Sequence, residues 1–219
     1  MKVINITPHT IDTQLSLENE YKNDSSDDCI LLCAYNLKDS IEQIKQENNH
    51  IIVFNQEQPS SPFFTDEYIN ILKNADSVWD YDEYNIEYLH SLGISNVEHH
   101  ILKPFIEIPE QEKEFDVCFY GALNDRRVKI LNDLVYNELH VVVPNGLFGD
   151  DLNECIAKSK CLLNIHFYTD SLQEQARLIR WIGNGKIFSE KSRKNYLNID
   201  EYEYDELVPQ ILEYIKNIR

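Results

Sequence analysis

Glycine is scarce in this chain: six in 219 residues, and none before Gly93. No G-x-G-x-x-G follows a strand-like run and no G-x-x-x-x-G-K-[ST] occurs, which disfavours a nicotinamide dehydrogenase and a P-loop kinase. Basic residues are also in short supply, 20 Lys and Arg against 38 Asp and Glu, for a net charge of −18. Nucleic acid is gripped mainly by cations that release counterions from phosphates. A surface of this sign, with no concentrated Lys/Arg stretch, disfavours direct nucleic-acid binding and acidic membranes alike. Apolar runs are short, none near the about 20 residues that a membrane helix needs. The opening MKVINITPHT carries no signal-type apolar core. Five cysteines (Cys29, Cys33, Cys118, Cys155, Cys161) are an odd number, four of them in apolar runs. Reduced thiols and a cytoplasmic location are the expectation.

What the chain does have is an alternation of short apolar runs with helix-like segments. Strands are expected at Val3–Ile6, Ile30–Ala34, Ile51–Phe54, Ser77–Trp79, Asp116–Tyr120, His140–Val143, Cys161–Ile165 and Lys186–Ser189. Helices are expected at Lys38–Glu47, Asp66–Lys73, Glu83–Leu92, Asp125–Tyr136, Asp151–Ser159, Leu172–Ile182 and Glu206–Ile218. Such alternation predicts βαβ units, and near-continuous apolar strands predict parallel sheets covered on both faces. The fold class is α/β. KPFIEIPEQEKE, with two prolines and a charge run, interrupts the rhythm as a linker would. The expected division is a domain at 1–104, a linker at 105–114, a second domain at 115–200 and a packed C-terminal helix at 201–219.

Two stretches carry candidate chemistry. In FYGALNDRRVKIL a strand ends near Gly121, Asn124 or Asp125 can cap the next helix, and Arg126 and Arg127 fall in its first turn. Cations there oppose the helix dipole at about 0.3–1 kcal/mol each. An arriving phosphate, which helix N-termini bind through free N–H groups, would offset that cost; pairing with the many carboxylates would do so too. In LLNIHFYTDSLQEQARLIRWIGNGKIFSE a strand ends near Asn164 and His166, with Asp170 or Ser171 as the cap of a helix. Helical spacing places Leu172, Ala176 and Ile179 on the core side and Glu174, Arg177 and Trp181 together on another. A first-turn carboxylate is favoured by the dipole, and its two oxygens suit a ribose diol.

The order YGALNDRR, then FGDDLNECIAKSKCLLNIHFY, then E-x-x-R before NGKIFSE resembles the donor-binding half of GT-B glycosyltransferases of the group 1 type. VFNQEQ and SVWDYDEYNIEYL are similar to the acceptor-side half of short members, and the likeness spans about residues 50–190. The resemblance implies two small Rossmann-like domains with parallel sheets facing a cleft. It also implies a nucleotide-sugar donor held mainly by the C-terminal one, and neither metal nor further cofactor. Glu174 would hold the ribose; Gly121, Asn124, Arg126 and Arg127 would meet the diphosphate; Asn164 and the turn after Ile165 would border the sugar. Arg177 would join Arg126 and Arg127 in neutralising the departing nucleoside diphosphate. Glu57 or His166 would serve as base toward the acceptor hydroxyl. The chain departs from the family in its small N-terminal half and in lacking an early glycine-rich loop. Acceptor and oligomeric state have no signature in the sequence.

Two other readings compete. Asp80-Tyr81-Asp82 has the D-x-D spacing of metal-dependent glycosyltransferases, although a helix-capping role for one of the two aspartates fits the following segment better. Cys29-x-x-x-Cys33 lacks a second Cys/His pair at zinc spacing. The non-enzymatic alternative is a catalytically degenerate GT-B-like module that binds a nucleotide or a protein.

Overall fold

The computed structural model describes residues 1–37, 41–48, 50–169 and 171–218. The chain divides into two compact units, Met1–Phe105 and Ile106–Arg219. Each is built on a five-stranded, wholly parallel sheet. This is the α/β class, with two Rossmann-like units, that the strand–helix alternation predicts.

The first unit runs β1 (Lys2–Asn5), α1 (Ile11–Glu20), β2 (Asp28–Leu32), α2 (Ile41–Glu47), β3 (His50–Asn55), α3 (Asp66–Asn74), β4 (Ser77–Asp80), α4 (Glu83–Ser91) and β5 (Val97–His99). Its sheet order, β1-β2-β3-β4-β5, advances in one direction without reversal. Cys29, Leu31, Ile51, Val53 and Val78 form one sheet face, covered by Tyr68 and Leu72 of α3 and Leu89 of α4. Thr65 caps α3 and Asp82 caps α4, each through its side chain. The sequence reading missed α1 because its inward positions are Asp12, Thr13, Ser16 and Leu17, so the helix buries polar groups and shows no apolar stripe. It also missed the three-residue β5. Of the helix expected over Lys38–Glu47, residues 38–40 lie outside the described residues.

The second unit runs β6 (Phe115–Cys118), α5 (Asp125–Tyr136), β7 (Val141–Val142), α6 (Gly149–Ala157), β8 (Ser159–Asn164), α7 (Gln175–Leu178), β9 (Lys186–Glu190), β10 (Glu201–Tyr202) and α8 (Leu207–Ile218). Its order is β10-β9-β8-β6-β7. The chain therefore leaves β6 to one side for β7 and returns to the other side for β8. Val117, Phe119, Cys161, Leu163 and Phe188 pack under α5 and α8, whose Ile130, Leu131, Leu134, Leu207, Ile211 and Ile215 point inward. Cys118, Leu162 and Ile187 pack on the opposite face with Leu152, Ile156, Leu178 and Trp181. Helices thus cover both faces, which buries every central strand.

One expectation fails here. The helix expected over Leu172–Ile182 shortens to Gln175–Leu178. The reason is Gln173, fully buried, whose carboxamide accepts from the N–H groups of Tyr196 and Leu197 and donates to Asn195 and Glu201. That four-way tether fixes residues before Glu174 in a non-helical path. Trp181 is wholly buried in the apolar core, not on the side of Glu174 and Arg177. Ser171 donates its hydroxyl to Tyr168 O instead of capping the helix, and Asp170 lies outside the described residues. All five cysteines are free thiols, with Cys155 half-buried and the others buried. Among the described residues, no helix is long and apolar enough to cross a membrane.

Candidate functional site

In parallel α/β sheets, ligands settle at the carboxyl ends of the strands where the strand order reverses, because the two flanking loops diverge there and leave a crevice. In the second unit that point lies between β6 and β8. The two stretches singled out by sequence are the loops that leave these strands.

After β6 the chain passes through Gly121, whose φ of +136° few L side chains adopt. A Cβ at this position would stand 3.1 Å from Arg177 Nη2 and 3.4 Å from Arg127 Nη1, so glycine lets both guanidinium groups lie against the backbone. Asn124 then caps α5, accepting from Arg127 N at 3.0 Å, while its amide donates to Phe167 O at 2.7 Å. One side chain thereby starts the helix and ties it to the loop after β8.

Arg127 does not reach solvent. Its side chain is 1% exposed. Nε donates to Ile165 O at 2.8 Å, Nη1 to Ala122 O at 2.7 Å and Nη2 to Glu174 Oε1 at 3.0 Å. The rings of Phe119 and Phe167 lie 5.4 Å and 5.2 Å from the guanidinium carbon. Burial, together with the Arg177 charge, pulls its pKa down to about 10, so it stays cationic at neutral pH. Arg177 donates through Nη1 to Asn164 Oδ1 and through Nη2 to Glu174 Oε1, both at 3.0 Å. Asn164, fully buried, donates in turn to Ser189 Oγ at 3.0 Å. It therefore aims Arg177.

Glu174 is the hub. Burial acts to raise its pKa, but the Arg177 charge, His166 and the Arg127 charge outweigh it and hold the carboxylate at about 2. His166 Nδ1 stands 3.6 Å from Glu174 Oε2, with the ring 1% exposed. Neither ring nitrogen of His166 has a hydrogen-bond partner among the described residues. The Glu174 carboxylate beside the ring stands beyond hydrogen-bond distance, and a buried imidazole left so marks a place where a polar ligand atom would be welcome.

Arg126, the second first-turn arginine, is neither solvated nor turned to an open anion site. It forms a bidentate pair with Glu190 at the end of β9 and donates to His166 O at 3.1 Å. Glu190 Oε2 also accepts from His166 N at 2.9 Å. The Tyr204 ring lies 4.2 Å under the Arg126 guanidinium, and its hydroxyl donates to Arg126 O at 2.8 Å. The cost of a cation in the first turn is offset by a buried carboxylate. Glu190, Gln173, Phe167 and Tyr204 were not singled out by sequence. For Glu190 a signal existed: a carboxylate at the carboxyl end of a strand, KIFSE, where parallel sheets carry their sites.

The structure thus brings Gly121, Asn124, Arg126, Arg127, Asn164, His166, Glu174 and Arg177 into one continuous network. Glu57 belongs to the first unit, just beyond β3. Ser61 Oγ donates to its Oε2 at 2.5 Å, and burial raises its pKa. Nearby, Asp80 is fully buried and accepts from Asn55 Nδ2 (2.6 Å), Asp82 N (2.9 Å) and Asn85 Nδ2 (3.2 Å). Asp82 accepts from Tyr84 N at 2.8 Å as the cap of α4. The D-x-D is a strand-end anchor followed by a helix cap. No group of three or more His, Cys, Asp or Glu among the described residues is arranged to hold a metal ion.

No family model matches the chain. It is 36% identical over 114 residues to "Uncharacterized protein L138" of Acanthamoeba polyphaga mimivirus, over 48% of this chain and 13% of that protein. It is 28% identical over 185 residues to "Uncharacterized protein L140" of the same virus, over 76% of this chain and 60% of that protein. The chain therefore spans less than two thirds of the length of either relative. Among solved structures it is similar to a crystal structure of a GtfA/B complex bound to UDP and GlcNAc, at 13% identity and a TM-score of 0.38, matching 93% of this chain and 53% of that one.

Proposed function

We propose that the chain is a glycosyltransferase that uses a nucleotide-sugar donor, with the donor diphosphate seated in the second unit at the carboxyl ends of β6 and β8. One observation carries the reading. The start of α5, buried Arg127, half-buried Arg177 and the buried imidazole of His166, whose ring nitrogens make no hydrogen bond among the described residues, converge at the reversal of strand order. Transfer of a sugar leaves a nucleoside diphosphate with growing negative charge. Pre-oriented guanidinium groups and helix N–H donors in a site shielded from water stabilise that charge without rearranging during the step. Arg177, fixed by Asn164, and Arg127, fixed by Ile165 O and Ala122 O, are such groups. His166 is the candidate proton acceptor within this unit.

A thermal-shift panel of uridine and guanosine diphosphates and their sugar conjugates at millimolar concentration tests the binding step. A ligand at 100 times its Kd adds about 2.7 kcal/mol. No shift with any of them removes the reading. A second reading, a nucleotide-binding module without turnover, is favoured by the saturation of Arg127, whose three guanidinium nitrogens all donate to groups of the protein itself. Nucleotide binding with no hydrolysis or transfer of any bound sugar nucleotide would select it.

A further inference from the structure

The Nη2 atoms of Arg127 and Arg177 both point at one oxygen, Glu174 Oε1, each from 3.0 Å. Two guanidinium groups closing on a single oxygen is how a phosphate oxygen is held. One carboxylate leaves this pair of cations half neutralised, within a chain whose overall charge is −18. Exposure then sets the order of access. The side chain of Arg127 is 1% exposed and that of Arg177 13%, whereas Glu174 keeps 25%. Of the three side chains, the carboxylate is the most open to solvent and Arg127 the least. Glu174 stands at the N-cap of the four-residue α7, with non-helical backbone angles (φ −75°, ψ 64°), so its side chain can rotate without breaking a helical turn.

We infer that Glu174 is an internal stand-in for a ligand phosphate, and that it leaves the Arg127–Arg177 pair when a phosphate-bearing ligand binds. The exchange is non-covalent: one carboxylate leaves the two Nη2 donors and phosphate oxygens take its place. The buried His166 ring, 3.6 Å from Glu174 Oε2 and without a hydrogen-bond partner, gives the incoming anion a further polar contact. Once released, Glu174 is free to accept from hydroxyl groups of the same ligand. The site is then selective for ligands with two or more phosphate charges, because a weaker anion cannot displace a tethered carboxylate. This inference rests on the reading of the β6–β8 edge as a phosphate site.

The test is isothermal titration of the full chain with inorganic pyrophosphate, which has neither ribose nor base. Glu174→Gln removes the competing charge and should bind pyrophosphate about tenfold or more tightly than the unaltered protein. Equal or weaker binding overturns the inference. Glu174→Ala provides a second measurement that tolerates a weakened fold. Sodium acetate should raise its melting temperature and leave that of the unaltered protein unmoved, since only the variant has the oxygen site open. The same response in both, or none in either, also overturns it. A tenfold gain for pyrophosphate with no binding of any nucleotide sugar keeps the exchange and removes the donor reading. Nucleotide-sugar binding without that gain does the reverse.

Discussion

Arg126, in the first turn of α5, and Glu190, at the end of β9, meet as a two-pronged ion pair across 64 positions of sequence. The pair fastens the helix that opens the site to the strand beside it. Through His166 N and O it also fastens the loop after β8. With side chains 19% and 8% exposed, both charges are largely removed from water, so deleting one partner strands the other. Glu190→Gln should lower stability by about 3–5 kcal/mol in denaturant unfolding. A loss below about 1 kcal/mol would assign the pair to the class of solvated ion pairs.

Glu174 makes stability depend on acid in a defined window. Its pKa falls from 4.5 to about 2 in the folded protein, so the unfolded chain takes up the proton first. The resulting stabilisation, about 3 kcal/mol, is fully present above pH 4.5 and is lost as pH falls from there through 2. Unfolding measured against pH should show that loss in the unaltered protein and a much flatter profile in Glu174→Gln.

Asp80 acts with the opposite sign. Burial raises its pKa from 3.8 to about 8, against the pull of hydrogen bonds from Asn55, Asp82 N and Asn85. A raised folded value means that its contribution is fully present below pH 3.8 and is lost as pH rises through 8. Asp80→Asn, which cannot titrate, should flatten the decline of stability between about pH 4 and 8. An unchanged slope would show that other groups cause it.

Gln173 holds the path that places Glu174. Replacement by alanine leaves the N–H groups of Tyr196 and Leu197 without their acceptor, at about 1–3 kcal/mol. Hydrogen exchange should accelerate at those two amides before it does in β8. Uniform acceleration across the unit would instead mark Gln173 as a general core residue.

The sequence was most legible where one physical signal acts alone. Helix α5 runs from Asp125 to Tyr136 as read, because Asn124 is a strong cap and Ile130, Leu131 and Leu134 give a clear inward stripe. The strands were legible because burial on both faces demands continuous apolar runs, as in Cys161–Asn164. Helix α1 was not, since Thr13 and Ser16 are its buried positions. The extent of α7 was not either, since the bonds of Gln173 to residues more than 20 positions away override local propensity. At the site, residue types and approximate places could be read. The pairings could not: which of two adjacent arginines is sealed inside with Glu174 and which joins Glu190 depends on side-chain direction around one helical turn.

Backbone amide NMR of the full chain, titrated with uridine and guanosine diphosphates, tests the central claim most directly. The account predicts saturable shifts concentrated at residues 121–127 and 165–177, around the ends of β6 and β8. Saturable shifts confined to the first unit, or none with either nucleotide, would contradict it.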